Sequence, residues 1–132
     1  MPQAGHMEED PNSEFPLLVL ASCPVDYRAP GDPRLSGGLR IEIIPGTLAY
    51  AVYQQTSITE KFSCNYELNP NLKPILEKAG LKFSGLGRAS EARIAELPGK
   101  TFYLGTGFLP QLSSSPQKPH PLVVAFLQAA IK

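Results

Sequence analysis

The sequence lacks the residues on which several common classes of protein depend. Its 132 residues include no tryptophan, two histidines and two cysteines, Cys23 and Cys64. Two cysteines are too few for a disulfide framework, which favours a reducing, cytoplasmic setting. Two cysteines and two distant histidines are also a poor supply of ligands for zinc, so we expect no metal site.

An excess of charge of one sign is also missing. Twelve basic and twelve acidic residues cancel, and no basic face is visible, so nucleic acid and anionic membranes are not expected partners. No apolar run approaches the roughly 20 residues that span a bilayer. Residues 1–16 are polar and acidic, unlike a signal peptide.

What is present is the composition of a globular domain with short elements. Hydrophobic residues make up 42% of the chain, and its length is typical of one domain. Fourteen prolines and eleven glycines indicate many turns and argue against a helical bundle. We expect a flexible N-terminal lead over residues 1–15 and one mixed α/β domain over residues 16–132.

Local patterns predict short strands and helices in mixed order. Strands are expected over residues 17–21, 39–43, 57–66, 81–84 and 92–97, the last two forming a hairpin. Residues 23–38 have the composition of a loop. A short helix is expected over residues 47–53, and a second over residues 70–78, with Asn69 as its cap and Pro70 in its first turn.

A strand, a loop and a helix close the chain. Residues 101–105 are aromatic and β-prone and are expected to form a buried strand. Pro116 and Pro119 prevent a helix before His120, whereas Pro121 suits a first helical turn. The apolar face of this helix would comprise Leu122, Val123, Phe126, Leu127 and Ala130.

Several motifs, in this order, resemble the glutamine amidotransferase domain of the CTP synthase family. They are residues 44–49 (IPGTLA), 66–70 (YELNP), 77–81 (EKAGL), 84–85 (SG), 96–98 (ELP), 108–112 (FLPQL) and 120–122 (HPL). The resemblance covers roughly residues 37–132 and the second half of that domain. It implies the flavodoxin-like α/β fold of a class I glutamine amidotransferase, with a mixed sheet, hairpins and a closing C-terminal helix. CTP synthase C-terminal-region-related proteins, which also depart from the family's His-Pro-Glu motif, are similar too.

The resemblance also implies that the family's catalytic groups are missing. Its catalytic histidine falls on Leu109, its catalytic glutamate on Gln111, and its substrate-binding arginine on Asn65, beside Tyr66. Leucine accepts no proton, and glutamine cannot stabilise an imidazolium as a carboxylate does. Asn65 lacks the charge that would clamp a substrate carboxylate. The resemblance therefore implies that the chain has no catalytic residue and no cofactor, and it does not identify the residues of a substrate site.

A class I glutaminase also needs a cysteine on a glycine-flanked elbow and an oxyanion hole, and the family has both in the first half of its domain. Cys23 is followed by proline, which has no N–H to donate, and Cys64 lies at a position that is not the family's nucleophile. We expect Cys23 to be a loop or part-buried thiol, Cys64 to be a buried structural thiol, and His120 to cap or pack. We also expect the carboxylates to be mainly solvated or capping, namely Asp26, Glu42, Glu60, Glu67 and Glu96.

Two hypotheses on function follow. The first is a truncated, catalytically degenerate domain of CTP synthase type, whose family hydrolyses glutamine to supply ammonia for UTP amination in pyrimidine biosynthesis. The second is a non-catalytic binding or regulatory module that complements a separately encoded N-terminal half. In both, Val123, Phe126, Leu127 and residues 102–104 would need cover, which predicts a homo-oligomer or a complementary half-domain as partner.

Overall fold

The computed structural model describes residues 4–22 and 36–132, and within these ranges the chain forms strands and helices in mixed order. The strands are β1 (Ala4–His6), β2 (Phe15–Leu20), β3 (Ser36–Ile43), β4 (Ser57–Ser63), β5 (Tyr66–Leu68), β6 (Lys82–Leu86), β7 (Ala92–Glu96) and β8 (Leu104–Thr106). The α-helices are α1 (Leu48–Tyr53), α2 (Lys73–Lys78) and α3 (Pro121–Ala130), and 3₁₀ turns occupy Pro70–Leu72 and Pro110–Ser113.

The main sheet has five strands in the order β4-β3-β6-β7-β8, and all neighbours are antiparallel. In β3, the leucine and the two isoleucines are buried at every second position, whereas Arg40 and Glu42 between them are exposed. This period of two buries one face of a strand. The core consists of Leu39, Ile41, Ile43, Ala49, Tyr53, Ile58, Phe62, Ile94, Phe108 and Leu122.

The side chains of β7 define the two faces of the main sheet, because successive side chains of a strand point to opposite sides. Ile94 joins the core with residues of α1 and α3, so we call its side the helix face. Glu96 lies on that same side, and its carboxylate accepts the N–H groups of Leu48 and Ala49 at 3.1 and 3.2 Å, which caps α1. Arg93 points to the other side, the cavity face.

A small mixed sheet with the order β1-β2-β5 lies over the cavity face. Strand β1 is parallel to β2, and β2 is antiparallel to β5. Glu67 of β5 bonds to Arg93 of β7, with 3.0 Å between Oε2 and Nη2. The N-terminal strands are thereby joined to the main sheet.

The expected α/β class is confirmed, with a mixed sheet, an antiparallel sheet and a C-terminal helix. The hairpin β6–β7 is also confirmed, although β6 extends to Leu86. In α3, His120 is the N-cap, and its ring accepts the N–H of Leu122 at 3.2 Å. Pro121 occupies the first turn, where the missing N–H of proline costs no hydrogen bond.

The helix expected over residues 70–78 forms in two parts. Asn69 caps it as predicted, accepting the N–H of Asn71 at 3.0 Å. Pro74 has no N–H to donate to the carbonyl of Pro70. The first turn is therefore a 3₁₀ turn, with the N–H of Lys73 bonding to that carbonyl instead, and α2 follows.

Three predicted boundaries are wrong. The single strand expected over residues 57–66 divides into β4 and β5, which belong to different sheets. Residues 36–38, predicted as loop, begin β3 because they pair with β4, Ser36 lying opposite Ser63. The closing strand is Leu104–Thr106 rather than residues 101–105, and it is not buried, since β8 is an edge strand and Tyr103 beside it is 52% exposed.

The N-terminal lead contains more regular structure than the sequence suggests. Ala4–His6 forms β1, and Phe15 already begins β2. Flexibility of residues 1–15 and a domain over residues 16–132 stay predictions. The rest of the predicted loop, residues 23–35, lies outside the described residues, and so do Cys23 and Asp26.

Candidate functional site

A cavity of about 380 Å³ lies between the small sheet and the cavity face of the main sheet. Strands of both sheets contribute to its wall, and most of the wall is apolar, as a ligand pocket usually is. The apolar part includes Leu18, Phe62, Leu81, Phe83, Phe108 and Leu109. The polar part includes His6, Cys64, Tyr66, Glu67, Arg93 and Thr106.

Of the two positions expected to match the family's catalytic pair, only one lines this cavity. Leu109 is half-buried and lines the cavity. Its N–H donates to the carbonyl of Lys61 at 2.9 Å, which fixes it beside β4. Gln111 is exposed in the 3₁₀ turn Pro110–Ser113 and is not part of the wall. The structure therefore places an aliphatic side chain, and not the glutamine amide, at the cavity.

The two positions linked to substrate binding also differ in location. Tyr66 lines the cavity, and its ring meets the ring of His6 edge-on with 4.7 Å between centroids. Asn65 is exposed and outside the wall, and its carbonyl accepts the N–H of Ala21 at 2.7 Å. The backbone of Asn65 thus holds the chain at the end of β2.

Cys64 is exposed, so the expectation of a buried thiol is wrong. The reason is its place in the short turn between β4 and β5 rather than inside a strand. Its Sγ accepts the N–H of Tyr66 at 3.4 Å and lies on the cavity wall.

A buried ion pair forms part of the same wall. The side chains of Arg93 and Glu67 are 1% and 6% exposed, and 3.0 Å separates Nη2 from Oε2. The other oxygen of Glu67 accepts both the N–H and the hydroxyl of Ser22, at 3.1 and 3.0 Å. Glu91 adds a second carboxylate, 3.3 Å from Nε of Arg93. We call these four residues the Glu67 network; it joins β5, β7 and the end of β2.

A second buried network lies on the helix face and consists of Tyr53, Glu60 and His120. Oε1 of Glu60 is 2.7 Å from Nε2 of His120 and accepts the Tyr53 hydroxyl at 2.8 Å. Because Nδ1 of His120 accepts the N–H of Leu122, Nε2 carries the hydrogen that goes to Glu60. Burial, followed by the bond to Glu60, raises the pKa of Tyr53 above that of an ordinary tyrosine. We call this the Glu60 network.

The expectation that the carboxylates are solvated or capping is correct for only some of them. Glu96 caps α1 as expected, and Glu42 is exposed, where the hydroxyl of Ser57 and then Arg40 lower its pKa. Glu60 and Glu67 are buried in networks, which is a correction. One signal was available for Glu60: it occupies the inward position of β4 between Ile58 and Phe62.

The described residues offer no obvious place for a metal ion. Across residues 4–22 and 36–132, no group of three or more histidine, cysteine, aspartate or glutamate side chains is arranged to hold one. The helices of those ranges are all too short or too polar to span a membrane.

Comparison with known proteins identifies relatives across nearly the whole chain. The CTP synthase of Pyrobaculum aerophilum is 36% identical over 129 residues, which are 97% of this chain and 24% of the relative. The CTP synthase of Pyrococcus furiosus is 35% identical over 132 residues, 98% of this chain and 25% of the relative. The likeness thus reaches well beyond residues 37–132, and the chain spans about a quarter of the length of these relatives. No protein-family model matches the chain.

A solved structure shows the same fold. It is the glutaminase domain of Trypanosoma brucei CTPS with bound acivicin, which superposes with a TM-score of 0.85 at 24% identity. The superposition covers 98% of this chain and 51% of that chain. Sequence and fold agree, and nearly the whole chain corresponds to the C-terminal glutamine amidotransferase part of CTP synthase.

Proposed function

We propose that the chain is a catalytically degenerate glutamine amidotransferase-like domain of CTP synthase type, without glutaminase activity of its own. Leu109 carries this proposal, because the motif of residues 108–112 matches the family's catalytic histidine to this aliphatic residue, which lines the cavity. A thiol nucleophile needs a base within hydrogen-bond reach and a third group to orient that base. Leu109 cannot take either role.

The remaining polar groups of the wall support the same conclusion. Cys64 is held by the N–H of Tyr66, and His6 uses Nδ1 to accept the N–H of Glu8 at 3.0 Å. Gln111 is neutral, exposed and outside the cavity wall, and it lacks the carboxylate that orients the histidine of a triad. Glutamine hydrolysis for UTP amination, and a place in cytoplasmic pyrimidine biosynthesis, would then require a second component.

An ammonia-release assay with glutamine tests this proposal. The purified chain is expected to release no ammonia above background. The double variant Leu109→His, Gln111→Glu is expected to be equally inactive, because two members of a triad have nothing to activate without a nucleophile. Turnover of about one per second that disappears in Cys64→Ala or Cys23→Ala would contradict the proposal.

The outer face of α3 favours a second candidate function, a binding or regulatory module that complements a separately encoded N-terminal half or a second copy of the chain. Val123, Phe126 and Leu127 are 38%, 54% and 56% exposed. Phe102 meets Phe126 edge-on with 5.8 Å between ring centroids, which extends this apolar face towards β8. Exposed apolar surface of this kind marks interaction sites.

Light scattering over a wide concentration series tests this second function. The apparent molecular mass of the chain alone is expected to rise with concentration, whereas the double variant Phe126→Ser, Leu127→Ser is expected to stay monomeric. Ile75→Ser is a matched control, since Ile75 on α2 is also an exposed apolar residue, at 51%, but lies outside this face. A wild-type chain that stays monomeric, and that also fails to bind the N-terminal half of a related glutaminase domain, would contradict it.

A further inference from the structure

We propose that the cavity between the two sheets binds an uncharged, apolar small molecule and excludes amino acids. This goes beyond the degenerate-domain proposal, because it concerns what the cavity accepts and not what it fails to hydrolyse. The cavity volume of about 380 Å³ falls within the range of small-molecule sites, roughly 300–1,000 Å³. An apolar cavity of about 150 Å³ holds benzene, which has six non-hydrogen atoms. At the same volume per atom, this cavity has space for about fifteen non-hydrogen atoms.

The charged groups of the wall are already paired with one another. Both carboxylate oxygens of Glu67 are engaged, one by Ser22 and the other by Arg93. The guanidinium of Arg93 is shared between Glu67 and Glu91. A charged ligand must exchange its hydration for compensating charges when it is buried. The ammonium and carboxylate groups of an amino acid would find no such compensation here.

The position that would clamp a ligand carboxylate in the family does not contribute to the wall. Asn65 is exposed and outside the cavity, with its carbonyl bonded to the N–H of Ala21. The neighbouring Tyr66 contributes a ring, and its edge-on contact with His6 leaves an aromatic surface on the wall. Among the described residues, the position expected to clamp a carboxylate therefore adds no charge to the wall.

Aromatic and aliphatic side chains supply the contact surface instead. Phe62, Phe83 and Phe108 come from three different segments and line one cavity together with Tyr66. Rings gathered in this way favour a flat aromatic ligand, which packs against them by stacking or edge-on contacts. Leu18, Leu81 and Leu109 complete an apolar lining that gains free energy when it is removed from water.

A fluorescence titration with N-phenyl-1-naphthylamine tests the proposal. This neutral dye is close to the expected size and becomes brighter in apolar surroundings. We expect saturable binding of one dye per chain, displacement by the neutral competitor 2-naphthol, and no displacement by glutamine. Displacement by glutamine, or no saturable binding at all, would overturn the proposal. Because the dye titration and the ammonia assay are separate measurements, failure of one does not imply failure of the other.

A pair of variants locates the bound dye. Ala95 lies on β7 two residues after Arg93, on the cavity wall and half-buried, so Ala95→Phe should fill the cavity and weaken binding at least tenfold. Ile75→Ala removes an exposed apolar side chain from α2, outside the cavity wall, and should leave binding unchanged. If Ala95→Phe bound the dye normally, or if Ile75→Ala lost it, the dye would be on another surface and the proposal would be wrong.

A measurement on the unmodified chain removes the dependence on folding of the Ala95→Phe variant. Nuclear Overhauser contacts are expected between dye protons and the rings of Phe83 and Phe108, both on the wall. Contacts to Phe126 instead, or to no aromatic ring of the wall, would overturn the assignment.

Discussion

Two buried carboxylates, Glu60 and Glu67, connect different parts of the molecule through different donors. Glu60 accepts hydrogen bonds from the phenol of Tyr53 on α1 and from the imidazole of His120, the N-cap of α3. Glu67 accepts hydrogen bonds from Ser22, near the end of β2, and from the guanidinium of Arg93. A guanidinium cannot lose its charge in a protein. The Glu67 network therefore contains a permanent cation, whereas the donors of Glu60 can both be neutral.

This difference matches the surroundings of the two networks. The Glu60 network lies under α1 and α3, beside the apolar core. The Glu67 network borders the cavity and joins the small sheet to the main one. A buried ion pair adds little stability relative to well-packed apolar residues, but removal of one partner leaves an uncompensated charge. Truncation of a donor should therefore cost more in the Glu67 network than in the Glu60 network.

The largest expected effect is that of Arg93→Met. Loss of the guanidinium leaves Glu67 buried without a counter-charge, which should lower the free energy of unfolding by about 3–5 kcal/mol. Arg40→Met is the matched control: Arg40 pairs with Glu42 at a similar distance, 3.1 Å, but the side chains are 55% and 58% exposed. An exposed pair of this kind contributes about 0–1 kcal/mol.

Urea unfolding of the two arginine variants decides the comparison. The double variant Arg93→Met, Glu67→Gln should recover much of the lost stability, since it also removes the unpaired charge. If Arg93→Met unfolded at the same urea concentration as Arg40→Met, the ion pair at the cavity would not be the joint between the two sheets.

A smaller effect is expected for Tyr53→Phe. Glu60 keeps His120 as a partner, so loss of the hydroxyl should cost about 1–2 kcal/mol at neutral pH. The raised pKa of Tyr53 adds a pH dependence. The phenol stays neutral in the folded chain but ionises in the unfolded chain above about pH 10. Stability is therefore complete below that pH and falls above it, by up to about 1.4 kcal/mol per pH unit.

Thermal melts between pH 8 and the alkaline limit measure this dependence. The Tyr53→Phe variant should lose less stability than the wild type as the pH rises past the tyrosine range. Tyr103→Phe is the control, because Tyr103 is exposed beside the edge strand and its substitution should leave the alkaline slope unchanged. An unchanged slope in Tyr53→Phe would show that Tyr53 ionises without opening the Glu60 network.

Prediction from sequence succeeds for the local elements of this fold and fails for the two buried networks. Strand β3, the hairpin β6–β7 and helix α3 were predicted because each has a strong local pattern or cap. Leu109 and Tyr66 were singled out by family motifs, and the structure places both at the cavity. The networks could not be predicted in the same way, because Glu60 and His120 are 60 residues apart in sequence and Glu67 and Arg93 are 26 apart. Their pairing depends on how the sheets and helices come together.

The smallest expected effect comes from Ser84, on β6, which is fully buried and has none of the bonds that satisfy Glu60 and Glu67. Within the described ranges its hydroxyl has no hydrogen-bond partner. A buried hydroxyl without a partner is costly, so Ser84→Ala should be neutral or stabilising, by up to about 1 kcal/mol. Thr47→Ala provides the contrast, since the Thr47 hydroxyl donates to Ile44 at 2.6 Å and accepts the N–H of Tyr50 at 3.1 Å. Loss of that cap should cost about 1 kcal/mol. Urea midpoints that shift in opposite directions would support this reading, whereas an equal loss in both variants would mean that Ser84 has a partner in solution.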